Sequence, residues 1–451
     1  MKKWITNTNT NTNTIIFDNE FNDELDIELI SGYDIIIFSD YELNNKIFEF
    51  YANNIFKDLE YMESKFNKDV SNLPLSLTHL IFGHEFNQDV SVLPPNITNL
   101  IFGCKFNKNV FVLPPNLTHL TFGTCFNQDV SKLPQSLTHL TFIFLFDQDV
   151  SQLPPNLTHL SLSLYFNRDV SVLPLTLTHL IFSDWFKQDV SNLPPTLNHL
   201  TFGYDFNQDV SKLPLSLTHL TFGTRFNQDV SNLPPITLNH LIFGNYFNQD
   251  VSNLPPTLTH LTFGENFNQD VSNLPPILTH LTFETCFNQD VSNLPPTLNH
   301  LTFGHAFNKD ISGLSQNITH LTLGYFFGLK CDIPTNVKYL KLYSNNKHQI
   351  DSLPNSIIEL ELDGHYFNLE INNLPTSIKK IVINADNKYY QADLNCLPDF
   401  VEELHLNKSY NKRILCIPSN LKKLVCDKNY PYINDFMIPN IEIHYYKQKI
   451  I

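Results

Sequence analysis

From residue 66 onward the apolar positions return in one fixed order every 20 residues. A phenylalanine marks each return: Phe66, Phe86, Phe106, Phe126, Phe146, Phe166, Phe186, Phe206 and Phe226. One inserted residue near Ile236 shifts the phase, which then holds at Phe247, Phe267, Phe287 and Phe307. In the unit that begins at Phe247, Leu258, Leu261 and Phe263 follow the spacing L-x-x-L-x-F. Leu261 and Phe263 alternate with polar neighbours, which is strand period, so Thr259 to Gly264 reads as a short strand. His260 and Thr262 then face away from the core. Phe267, Val271 and Leu274 turn back inward, and Pro275-Pro276 removes two amide donors from the return path. The return is therefore extended, not helical.

A fixed period of this length is the signature of a solenoid, in which one unit cannot bury its apolar face without a neighbour. The pattern predicts a β-rich solenoid: a parallel sheet of about 19 or more turns, with extended return segments. The full unit, F-N-x-D-[VI]-S-x-L-P-x-x-L-T-H-L-x-F-G, resembles the FNIP repeat, a leucine-rich-repeat-like family of amoebae and of large DNA viruses that infect them. The resemblance is close from Phe66 to about Phe327 and looser beyond. It implies a repeat scaffold without catalytic residues, sometimes joined to an N-terminal F-box that links to ubiquitin ligases.

The ends depart from the unit. Residues 1–14, with a strict Asn-Thr alternation from Asn7 to Thr14, read as a disordered tail. Residues 15–65 read as an N-terminal cap. Phe17 and Phe21 have the spacing of Phe82 and Phe86, so a degenerate repeat is expected there, followed by a strand over Gly32 to Phe38. Ile47, Tyr51, Ile55 and Leu59 fall four apart, which predicts an amphipathic helix over residues 40–64 covering the solenoid end. A divergent F-box is the alternative for the same segment. Residues 328–451 keep the marker proline at Pro334, Pro354, Pro375, Pro398, Pro418 and Pro439, and read as divergent repeats closed by Ile441, Ile443 and Tyr445.

Charge and chemistry narrow the functional classes. The net charge of −16 provides no positive field for nucleic acid or an anionic membrane. No apolar targeting region follows Lys2 and Lys3, so an intracellular, cytoplasmic monomer that is not secreted is expected. Seven cysteines match no zinc spacing, and Cys396 and Cys416 share one phase. The position of His260 forms a column of twelve histidines interrupted at Asn99, including His179, His199, His219 and His240, and an exposed ladder is expected. The column of Asp270 reads as turn aspartates that bond their own backbone, and Asn248 and Asn268 as an amide ladder between turns.

No catalytic set, cofactor motif or metal site stands out from the repeat, so no enzyme is expected. The most variable slots are the two before each phenylalanine. In Phe144, Leu145, Leu164, Tyr165, Asp184, Trp185 and Tyr204 they are unusually apolar and aromatic, which suits contact with a protein partner. The expected function is a non-enzymatic scaffold for protein–protein interaction. The alternative is the substrate-recognition adaptor of a ubiquitin ligase, which requires the F-box in residues 15–65.

Overall fold

The computed structural model describes residues 4–7, 13–18, 20–38, 64–234, 236–329, 332–343, 350–364, 368–371 and 373–446. Two compact units divide the chain, residues 1–228 and 229–451. Both are built from the turn that the L-x-x-L-x-F spacing predicts. A strand of three or four residues is followed by tight bends joined by extended chain, and among the described residues from 66 to 327 the return contains no helix.

In the first unit β1 (Trp4–Asn7) pairs antiparallel with β2 (Thr14–Phe17). Parallel pairing then runs through β3 (Ile35–Phe38) and β4 (His79–Ile81) to β11 (His219–Thr221). From His79 each residue meets its equivalent one repeat on, as His79 meets Asn99 and His199 meets His219. Trp4–Asn7 lies within the residues read as a tail and forms a strand. Tail residues Ile5 and Thr6 face Ile16 and Ile15 in register, so the β-rich Ile15–Phe17 stretch gives them a ladder to join. Phe17 and Phe21 take the places of Phe82 and Phe86, with ring centroids 4.4 Å apart. Between β2 and β3 lies a single helical turn, Ile27–Ile30, capped by Asp26, whose Oδ1 accepts from the Glu28 amide at 3.0 Å. The helix expected over residues 40–64 falls almost wholly on residues 39–63, which lie outside the described residues.

The second unit runs from β12 (His240–Ile242) to β22 (Glu442–Tyr445), again in parallel. Its later turns vary in length: His320 pairs with Tyr339, Glu359 with Lys380, and Lys380 with Glu403. The outward strand positions change from His and Thr to charges that pair across strands. Lys380 meets Glu359 at 2.8 Å and Lys423 meets Glu403 at 2.7 Å. At the last strand Ile441 and Ile443 are half-buried and Tyr445 is exposed.

Inside each turn the apolar columns are continuous. Leu258, Leu261, Phe263, Phe267, Val271 and Leu274 are all buried, as the sequence pattern requires. The strand phenylalanine stacks on the one that follows its bend, with centroids 3.7 Å apart for Phe202 and Phe206. The next turn's ring lies farther off, at 6.2 Å from Phe206 to Phe226. Burial of such rings against one another is the main cohesive term between turns.

Candidate functional site

The two slots before each phenylalanine lie where the chain bends off the strand. Their backbone is tied turn to turn outside the sheet: the Tyr165 amide donates to the Phe144 carbonyl at 3.2 Å, Trp185 to Leu164 at 3.2 Å and Asp205 to Asp184 at 2.7 Å. The slots are thus rigid positions on a second backbone ladder, and what varies is the side chain each displays.

Glycine precedes the slots in most repeats, for a steric reason. A Cβ on Gly103 would lie 2.0 Å from the carbonyl oxygen of Gly83, and one on Gly223 would lie 1.8 Å from that of Gly203. Three consecutive turns give up this glycine, with Ile143, Ser163 and Ser183 in its place. The bend keeps the same backbone bond in the two serine turns, Phe166 to the Ser163 carbonyl at 3.1 Å and Phe186 to the Ser183 carbonyl at 3.4 Å. The two hydroxyls add bonds that glycine cannot make: Ser163 donates to the Phe146 carbonyl and Ser183 to the Leu162 carbonyl at 2.7 Å.

These same three turns carry a continuous run of aromatic slots, while Tyr204, Tyr246 and Tyr325-Phe326 occupy slots on turns that keep the glycine. Phe144 and Tyr165 meet edge to face at 5.0 Å between centroids, and Tyr165 and Trp185 at 4.6 Å. Leu145 is 40 % exposed, Trp185 51 % and Tyr204 41 %, while Phe144, Leu164 and Tyr165 are half-buried. Asp184 is exposed, and its Oδ1 accepts from the Tyr204 amide at 3.2 Å. All seven slot residues named from the sequence therefore lie on one run of four turns. Sequence reasoning missed the coincident loss of glycine, although Ile143, Ser163 and Ser183 stand in plain view of the repeat.

The histidines form rows of a different character. Rings of neighbouring turns stack in parallel, 4.2 Å apart for His179–His199 and His199–His219, and 4.0 Å for His240–His260. His179, His199, His219, His240 and His260 are consequently half-buried rather than exposed, because each ring covers the faces of its neighbours. Their tautomer follows from the hydrogen bonds. Thr178 spends its single hydroxyl proton on the Thr158 carbonyl at 3.1 Å, so at 2.9 Å it can only accept from His179 Nδ1. At His199 the partner is the Asn198 Oδ1, which is an acceptor too, at 2.7 Å. Each ring thus holds its proton on Nδ1 and leaves Nε2 as an acceptor. Burial first, and adjacent imidazoles second, lower His139, His179 and His300 to about 4. These three rings are neutral near pH 7. Among the described residues no three His, Cys, Asp or Glu side chains converge as a metal site requires.

The aspartate column closes the bend after each valine. Asp209 Oδ1 accepts from the Ser211 amide at 2.9 Å and Oδ2 from its hydroxyl at 2.9 Å, which holds the carboxyl below its ordinary value. Asn248 Oδ1 accepts from the Asn268 amide at 2.9 Å and from Gln269 Nε2 at 3.1 Å. This ladder ties side chain to backbone from turn to turn. Cys125, Cys286, Cys396, Cys416 and Cys426 are free thiols, and Cys396 and Cys416 are exposed.

The profile of the FNIP Repeat matches residues 66–105, 106–144, 147–185, 187–224, 209–246, 231–266, 247–286, 267–306, 328–365, 349–386 and 393–425. The chain belongs to the FNIP repeat family. Its FNIP repeats continue into the divergent C-terminal part, where the period loosens but the strand and the marker proline persist. Among solved structures, the FNIP chain is similar to CroV588, described as a novel circular LRR protein. The identity is 33 %, the TM-score 0.67, and the match covers 95 % of this chain and 77 % of that one. Toll in its complex with Spatzle, from Drosophila, matches at 11 % identity and TM-score 0.53 over 95 % of this chain and 68 % of that one, a likeness of fold alone. An internalin of Listeria monocytogenes matches at 20 % identity and TM-score 0.40 over 55 % and 75 %. No curated protein matches the chain. The protein is a leucine-rich-repeat-like scaffold, and no helix among the described residues is long and apolar enough to cross a membrane.

Proposed function

We propose that this scaffold binds a protein partner, without catalysis, through the aromatic strip Phe144, Leu145, Leu164, Tyr165, Trp185 and Tyr204. The observation that carries the reading is a coincidence of position. Three consecutive turns replace the glycine at the bend, and the slots of these turns hold Phe144, Leu145, Leu164, Tyr165 and Trp185 side by side. Half-exposed aromatics held by their neighbours lose little side-chain freedom on binding, and such residues dominate the energetics of interfaces.

The test is affinity capture from a host extract with the full chain and with Trp185→Ala. The variant is expected to lose about tenfold or more in partner retention. Its melting temperature should stay close to that of the parent. The adjacent core ring is the control: Phe186 is fully buried, and Phe186→Ala should cost about 3–5 kcal/mol of stability. Equal retention by Trp185→Ala and the parent would remove the strip from the interface.

A further inference from the structure

The strip ends in a set of groups whose polar capacity is unused. The Asp184 carboxylate accepts one hydrogen bond, from the Tyr204 amide, and forms no ion pair among the described residues. The charged side chains around it are matched among themselves: Lys187 and Arg225 both meet Asp205 at 3.0 Å, and Arg168 meets Asp147 at 2.9 Å. Asp184 is left as the carboxylate of this cluster without a counter-ion, beside an indole that is half in solvent.

One turn further on, the same two slots already hold a cation. Arg225 lies 5.2 Å from the centroid of the Tyr204 ring while its guanidinium pairs with Asp205. Carboxylate and aromatic ring there share one basic side chain, supplied by the next turn. At Asp184 and Trp185 the pair recurs with the order reversed, and the next turn supplies Asp205 instead of a base. A cation over an aromatic face gains from the ring quadrupole, and most over Trp.

We propose that Asp184, Trp185 and the open edge of Tyr204 take up an arginine or lysine side chain of the protein partner. This rests on the strip being the docking surface, and it names what the strip selects: a basic segment, not an apolar helix face or an acidic one. The carboxylate neutralises the incoming charge, the indole covers its flat or methylene part, and Tyr165 packs edge to face against the indole. The net charge of −16 favours the approach of such a segment over long range.

Trp185 reports on its own site, because the chain has two tryptophans and Trp4→Phe leaves one indole. Three synthetic peptides of equal length would be titrated against this variant, with paired central residues arginine, glutamate or leucine, following Trp185 fluorescence. The arginine peptide should bind about tenfold tighter than the other two. Added salt and Asp184→Asn should each remove most of that preference. Equal binding of the leucine peptide, with Asp184→Asn indistinguishable from the parent, would overturn the cation site while leaving the strip as a docking surface. Silence toward the arginine peptide at millimolar concentration would also overturn it. If Trp185→Ala in addition retains the extract partner as the parent does, the docking surface falls with it.

Discussion

A single imidazole in these rows is set by its neighbours above and below. Exposure was the natural reading of an outward strand position, and the residue type gave no sign that rings one strand apart would stack. The stacking spacing is a property of the folded sheet, which is why the column was legible in the sequence but its burial was not. The consequence for pH has a definite sign. The unfolded chain carries histidines near pKa ~6.5, whereas His139 and His179 are lowered to about 4 in the fold. Between those values the unfolded state binds more protons, so stability is complete above pH ~6.5 and falls as the pH drops toward about 4. Changing His139 and His179 to Asn, the residue the column itself carries at Asn99, should flatten the dependence of melting temperature on pH across that window. An unchanged slope would assign the acid sensitivity to other groups.

At the scale of the element, the strand and its return were readable because they depend on spacing and on proline. L-x-x-L-x-F fixes which side chains go inward, and Pro-Pro excludes helix from the return. The pairing of Trp4–Asn7 was hidden because four residues before an Asn-Thr alternation are too short to show a period, and only Thr14–Phe17 gives them a partner. The aromatic slots were legible as residue types. Their edge-to-face chain, and its link to the missing glycines, required the path of the backbone. The glycine rule can be checked by a matched pair. Gly223→Ala brings a methyl to 1.8 Å from a carbonyl oxygen of the previous turn and should destabilise by about 1–3 kcal/mol. Gly313 meets nothing closer than 3.6 Å, so Gly313→Ala should be neutral or stabilise by about 0.4–1 kcal/mol. Thermal melts of the two variants decide it, and similar losses from both would refute the steric account.

For the molecule as a whole, stability is a sum over turns and the surfaces between them. Excising Phe267 to Cys286 joins Asn266 to Phe287 and restores every column one turn shorter. That variant should keep the β-type circular dichroism of the parent with a lower melting temperature. Excising half a turn instead should abolish the cooperative melt. The same interchangeability has a cost during folding. With near-identical surfaces on every turn from Phe66 to Phe307, a strand can dock on the neighbour but one and leave a whole turn looped out. The penalty is the lost stacking plus a closure term of about 3 kcal/mol for the extruded loop. The chain would then be trapped with one rung missing, every local contact correct. The later turns cannot make this error. Their unequal lengths, where Glu359 meets Lys380 and Lys380 meets Glu403, allow one frame alone, and their charges pair only in that frame. In a chain of copies, the irregular turns are the ones that keep count.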